Sequence, residues 1–168
     1  MSADGSAGVT LRSDSPAETE RLGAALASTL EIGDVVTLAG PLGAGKTCFV
    51  TGVARGLSVG GRVRSPSFGL VHELSGRLPL IHVDLYRLAE AEAEGLGLEE
   101  LRERGVLVVE WGEKLPGALR ADSLAIELRA PSPETRELTA RALGRRGEAL
   151  LAAWRSAVAP SRASREGA

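Results

Sequence analysis

The chain has 168 residues, with 43% hydrophobic and 25% charged side chains, enough apolar material for one domain with its own core. Its net charge of −2 excludes a protein that coats nucleic acid by electrostatics alone. No apolar run approaches the roughly 20 residues of a membrane span, the N-terminus lacks signal-peptide regions, and one cysteine forms no internal disulfide. A cytoplasmic protein without membrane contact is expected.

In chain order, residues 1–8 read as a flexible tail and 9–158 as a single domain, with 159–168 a second flexible tail. Val9 to Arg12 suits a short edge strand. Ser15-Pro-Ala-Glu18 is a helix start, with serine as N-cap, proline at the first helical position and glutamate three residues on. Leu22, Ala25, Leu26 and Leu30 continue it, which predicts a helix over 16–30. Val35 to Ala39 is a buried strand, Gly40 to Gly45 a loop, and Lys46 to Leu57 the next helix. Phe68–Leu74 and Leu78–Leu85 are strand-like runs joined by Ser75-Gly-Arg77. An acidic helix follows over 89–104, weakened by Gly95 and Gly97. Val106 to Trp111 is a buried strand. Ser123–Arg129 and Arg136–Leu143 form an antiparallel pair, and Glu148–Val158 is a last helix. Continuous apolar strands alternating with helices predict an α/β fold: a P-loop NTPase-like three-layer structure with a mainly parallel sheet and antiparallel edges. Ligands in such sheets bind at the carboxyl ends of the strands.

Gly40-Pro-Leu-Gly-Ala-Gly-Lys-Thr47 fits the P-loop pattern, with a strand before it and a helix after. Its glycines let backbone N–H groups cradle phosphate, Lys46 reaches the outer phosphates, and the Thr47 hydroxyl suits Mg²⁺. The chain has only two lysines, Lys46 and Lys114, so a lysine at this position is not casual. Cys48, in the first turn of the next helix, is read as a small packing residue; the helix dipole could alternatively lower its pKa.

Two apolar strands end in a carboxylate, Leu80-Ile-His-Val-Asp84 and Val106-Leu-Val-Val-Glu110. Either acid could complete the Mg²⁺ site while the other orients the attacking water, and both could instead be turn caps. His82 reads as a packed, hydrogen-bonded core histidine and Trp111 as core. Arg64 and Arg87 are read as solvated, with contact to a terminal phosphate as the sharper alternative. The chain contains no Asn and no Gln, which removes the guanine-reading Asn-Lys-x-Asp motif and a Ras-type glutamine. ATP is the nucleotide expected.

Gly40–Thr47, Ser65-Pro-Ser-Phe68, His82-Val-Asp-Leu-Tyr-Arg-Leu88 and Val109-Glu-Trp111, in this order, resemble the TsaE (YjeE) family of bacterial ATPases over about Ser13 to Leu143. The resemblance implies ATP hydrolysis with Mg²⁺ in support of tRNA N6-threonylcarbamoyladenosine formation, beside a TsaB–TsaD heterodimer, with tRNA contacted only indirectly or locally. It implies catalytic roles for Lys46, Asp84 and Glu110, and a metal site on Thr47 and Glu110. Gly43, Ala44, Gly45, Lys46, Thr47 and Cys48 would then contact the nucleotide. Ser67 would do so from the switch beside the γ-phosphate, and Arg136 from the late hairpin. Residues 13–18 would lie near the base. Two positions depart from the family pattern: Ser67 stands where the switch usually has threonine, and Cys48 where a second hydroxyl is common. The stretch from Gly144 matches nothing in the pattern. A small-molecule P-loop kinase and a nucleotide-dependent assembly factor without needed turnover are the alternative readings.

Overall fold

The structure, a computed structural model, describes residues 8–64 and 70–159. Its seven strands are β1 (Val9–Ser13), β2 (Val35–Ala39), β3 (Val71–Leu74), β4 (Leu80–Asp84), β5 (Val106–Glu110), β6 (Ser123–Arg129) and β7 (Arg136–Leu143). They form one sheet in the order β1-β7-β6-β2-β5-β4-β3. The four central strands β6, β2, β5 and β4 run parallel, and β1, β7 and β3 pair antiparallel at the edges.

Side chains alternate across these strands. On β5, Val106 and Val108 join the larger core cluster while Leu107 and Val109 join the smaller one on the opposite face. Both faces are covered, which is why these strands read as unbroken apolar runs. Helices α1 (Pro16–Ala27), α2 (Lys46–Gly56) and α6 (Gly144–Val158) cover the first face. Short helices α3 (Glu90–Ala93), α4 (Leu98–Arg102) and α5 (Gly117–Arg120) cover the second. The three-layer architecture is as expected.

Ser15 caps α1 by accepting the Glu18 N–H at 3.1 Å, and Glu18 in turn accepts the Asp14 N–H at 2.7 Å. The helix stops at Ala27 rather than 30, where the hydroxyls of Ser28 and Thr29 bond back to the carbonyls of Ala25 and Leu26. The expected helix over 89–104 is broken into three pieces, because Gly97 takes the left-handed conformation (φ 68°) between a 3-10 turn and α4. Strand β5 ends at Glu110, one residue early, since Trp111 is itself left-handed (φ 59°). Helix α6 starts at Gly144 rather than at Glu148. The short α5 and the 3-10 turn at Gly112–Lys114 carry too little periodicity to be read from sequence.

Two contacts fix the helix that bears the phosphate loop. Helices α1 and α2 meet at glycines: a Cβ on Gly52 would lie 2.0 Å from the Glu20 carbonyl oxygen, and one on Gly23 2.3 Å from that of Phe49. The helix axes therefore approach as closely as bare backbone allows. On the far side, Trp154 of α6 is fully buried, meets the Phe49 ring edge-on at 5.9 Å and donates its indole N–H to the Leu22 carbonyl at 2.9 Å. Helix α6 also carries Arg146, whose guanidinium grips Asp34 at the start of β2 with contacts of 2.6 and 2.8 Å.

Candidate functional site

A strand, a glycine loop and a helix N-terminus form the site's floor. Strand β2 ends at Ala39, the loop runs over 40–45, and α2 begins at Lys46. Gly43 (φ 79°) and Gly45 (φ 102°) take left-handed backbone that L side chains rarely adopt, and a Cβ on Gly43 would point into open space. At Gly43 the loop backbone therefore faces open space, while a Cβ on Gly45 would lie 3.6 Å from Arg136 Nε. Ala44 is fully buried beneath it and donates its N–H to the Pro41 carbonyl at 3.1 Å.

Strands β2, β5 and β4 are adjacent and parallel, so their carboxyl ends open on the same side, with Asp84 and Glu110 directly paired in register. Even-numbered residues of β4 and β5 face α2: Leu80, Val106 and Val108 pack in that cluster, and His82, Asp84 and Glu110 continue the same rows. Glu110 is 3% exposed. Its Oε1 accepts the Thr47 hydroxyl at 2.9 Å and its Oε2 lies 2.6 Å from His82 Nε2. Asp84 Oδ1 accepts the Tyr86 N–H at 2.9 Å.

Thr47, Asp84 and Glu110 line a cleft of about 380 Å³ together with Leu42, Tyr86, Arg87 and Trp111. Lys46 donates to the carbonyls of Gly40 and Pro41 and lies 4.4 Å from the centre of the Trp111 ring. Burial lowers its pKa, opposed by the charges of Glu110, Glu113 and Asp84. A desolvated ammonium held against neutral carbonyls at the mouth of an open backbone cradle favours an anion as neighbour. The oxygen donors of Thr47, Asp84 and Glu110 suit a hard divalent cation. Among the described residues no group of three or more His, Cys, Asp or Glu is arranged to hold a metal alone. A site that shares its cation with substrate phosphates matches that donor set.

Gly43, Gly45, Lys46, Thr47, Cys48, Asp84 and Glu110 meet at this cleft. Arg136 lies at its rim, where its guanidinium bonds the Gly43 carbonyl at 3.3 Å and the carbonyls of Ser132, Pro133 and Thr135. Ser67 and the segment 65–68 lie outside the described residues. Arg87 is exposed on the cleft wall, while Arg64 is exposed and does not line it. Burial raises the Cys48 pKa, followed by the Glu20 charge, so the packing reading holds and the dipole reading does not. Its thiol contacts the Pro16 carbonyl at 3.4 Å.

Trp111 is core only in part. It is half-buried and packs against the second core cluster with Leu107 and Val109, as expected, but its backbone is left-handed and its ring also lines the cleft, 5.0 Å from the Tyr86 ring. Sequence reasoning also missed Lys114, which donates to the carbonyls of Leu85 and Tyr86 at 3.2 and 2.8 Å and so pins the segment after Asp84. Its rarity as one of two lysines was the available signal. His82 is packed as expected, but its hydrogen bond goes to Glu110, a link that only the strand register reveals.

A buried strand, an open glycine loop at a helix N-terminus and an acid closing the next parallel strand together define the P-loop NTPase-like class of α/β folds. The crystal structure of Bacillus subtilis YdiB superimposes with a TM-score of 0.76 at 35% identity, covering 90% of this chain and 96% of that one. The family model described as "Threonylcarbamoyl adenosine biosynthesis protein TsaE" matches residues 13–138, and the chain belongs to that family. Curated tRNA threonylcarbamoyladenosine biosynthesis proteins TsaE are similar over most of their length. That of Bacillus subtilis is 41% identical over 83% of this chain and 89% of its own. That of Treponema pallidum is 43% identical over 76% and 96%. Among the described residues no helix is long and apolar enough to cross a membrane.

Proposed function

We propose that this chain is a P-loop ATPase that binds ATP with Mg²⁺ at the 40–47 loop. Its hydrolysis supports the N6-threonylcarbamoyladenosine modification of tRNA, in company with a TsaB–TsaD pair. The observation that carries the reading is the 2.9 Å contact between the Thr47 hydroxyl and Glu110, which joins the first turn after the glycine loop to the acid on the neighbouring strand. In a P-loop site Thr47 and Glu110 are the residues that would hold a divalent metal, which would supply charge neutralisation for the outer phosphates. Lys46 then meets phosphate charge, the exposed loop amides cradle it, and Asp84 at the wall is placed to orient the attacking water. Gly43, Ala44, Gly45 and Cys48 belong to the phosphate cradle and its first helical turn. Arg136 braces the loop through the Gly43 carbonyl. Membership of the TsaE family supplies the pathway, and the names of the relatives supply the modified nucleoside.

The experiment is release of inorganic phosphate from ATP by the purified chain, with and without TsaB–TsaD, beside a Lys46→Ala protein. The reading requires turnover that depends on Lys46 and changes with the pair. Equal turnover by Lys46→Ala would overturn the site. Turnover indifferent to the pair would overturn the partners, and phosphate delivered to a metabolite would replace hydrolysis by a kinase reaction.

A further inference from the structure

We propose that His82 is the positioning residue of the metal site: it holds the Glu110 carboxylate in the rotamer that meets Thr47. The inference rests on the nucleotide–magnesium reading above. Glu110 has three rotatable side-chain bonds and would sample many orientations at a strand end unless held. It is held from two sides, by the Thr47 hydroxyl on Oε1 and by His82 Nε2 on Oε2 at 2.6 Å. Thr47 is also the hydroxyl that a metal would engage, so among the described residues His82 remains as the side-chain hold independent of metal and nucleotide.

His82 is fully buried, and its Nδ1 has no hydrogen-bond partner among the described residues. The tautomer protonated on Nε2 fits that environment, since it donates to Glu110 and leaves only a lone pair on Nδ1. An unpartnered buried nitrogen is unfavourable, and an apolar residue on this face of β4, which otherwise packs Leu80, would avoid it. The bond to Glu110 is the only polar contact of the ring among the described residues, and there the histidine's polarity acts on Glu110. Second partners of this kind orient a metal-site ligand without touching the metal themselves.

The test titrates a non-hydrolysable ATP analogue into the intact chain, once in EDTA and once in Mg²⁺. The ratio of the two dissociation constants measures how much the metal tightens binding. His82→Leu keeps the apolar volume and removes the donor. His82→Gln places an amide N–H near the Nε2 position. The proposal expects the Mg²⁺-dependent gain to fall about tenfold or more in His82→Leu while affinity in EDTA stays within about twofold. His82→Gln should recover most of the gain. His82→Asn, whose shorter amide does not reach Glu110, should resemble His82→Leu and serves in its place if that protein does not fold. A wild-type gain in His82→Leu or His82→Asn would overturn the proposal, and so would equal loss in His82→Gln, which would mark a packing role. If the unaltered chain shows no gain with Mg²⁺, the nucleotide–metal reading itself fails and takes the proposal with it.

Discussion

Thr47 and Glu110 lie 63 residues apart in sequence, and their side chains meet at 2.9 Å in a site where Glu110 is almost wholly buried. The contact ties the first turn of α2 to the end of β5. Replacing the hydroxyl by a methyl in Thr47→Val leaves Glu110 with His82 as its only side-chain donor among the described residues. The loss should cost about 1–3 kcal/mol. Urea denaturation in EDTA measures it without interference from bound metal; an unchanged midpoint would mean the hydroxyl contributes nothing to the fold.

Lys46 gives a pH signature. Burial lowers its folded pKa below the unfolded value of 10.5. Between the two values the unfolded chain binds the extra proton, so stability from this group rises with pH through that window. Below the folded pKa both states are protonated and the penalty of the buried charge is present in full. A Lys46→Met protein lacks the penalty, so its advantage over the unaltered chain should shrink as pH rises toward 10.5. Thermal unfolding of both proteins from pH 7 upward reads this; parallel curves would contradict it.

Helix α6 lies beyond the residues matched by the family model, yet Trp154 fills the core behind the phosphate loop's helix. Trp154→Ala should cost about 3–5 kcal/mol, the range for deleting a large buried side chain. Trp154→Phe keeps most of the apolar volume and loses the bond to Leu22, so it should cost clearly less. Denaturant midpoints separate the two. A mild Trp154→Ala would show that the Phe49 side closes over the cavity.

The glycine seam between α1 and α2 predicts a contrast between two similar substitutions. Gly52→Ala forces a Cβ to 2.0 Å from a backbone oxygen and must push the helices apart, at about 1–3 kcal/mol. Gly95→Ala meets nothing within 4 Å and should be neutral or stabilising by up to about 1 kcal/mol. Gly52→Ala should also weaken nucleotide binding, because α2 carries Lys46 and Thr47. Calorimetric melting and nucleotide titration on both proteins check the pair.

Much of this architecture was legible in the sequence. The glycine loop, the strand before it and the two acid-terminated runs needed only local pattern, and the structure returns β2, β6 and β7 with the expected bounds. Helix ends were less legible, because Ser28, Thr29 and Gly97 act through hydrogen bonds and backbone angles that hydrophobic period does not carry. At the site, the roles of Trp111 and His82 were hidden for different reasons. Trp111 packs with Leu107 and Val109 as an apolar period predicts, and only its left-handed backbone and the Tyr86 ring beside it reveal that it also lines the cleft. His82 acquires its meaning only from the parallel register that sets β4 beside β5.

The pairing of β1 with β7 and the grip of Arg146 on Asp34 have a consequence for biosynthesis. Strand β1 finds its partner only when residues 136–140 have been made, and Asp34 waits 112 residues for its arginine. While the ribosome is still adding the second half, the glycine loop and α2 already exist without α6 behind them. A nascent chain of this order cannot complete the surroundings of its glycine loop piece by piece from the first residue onward. Its glycine loop is made early and secured late, so until α6 emerges the Phe49 ring on α2 lacks the Trp154 ring that covers it in the finished fold.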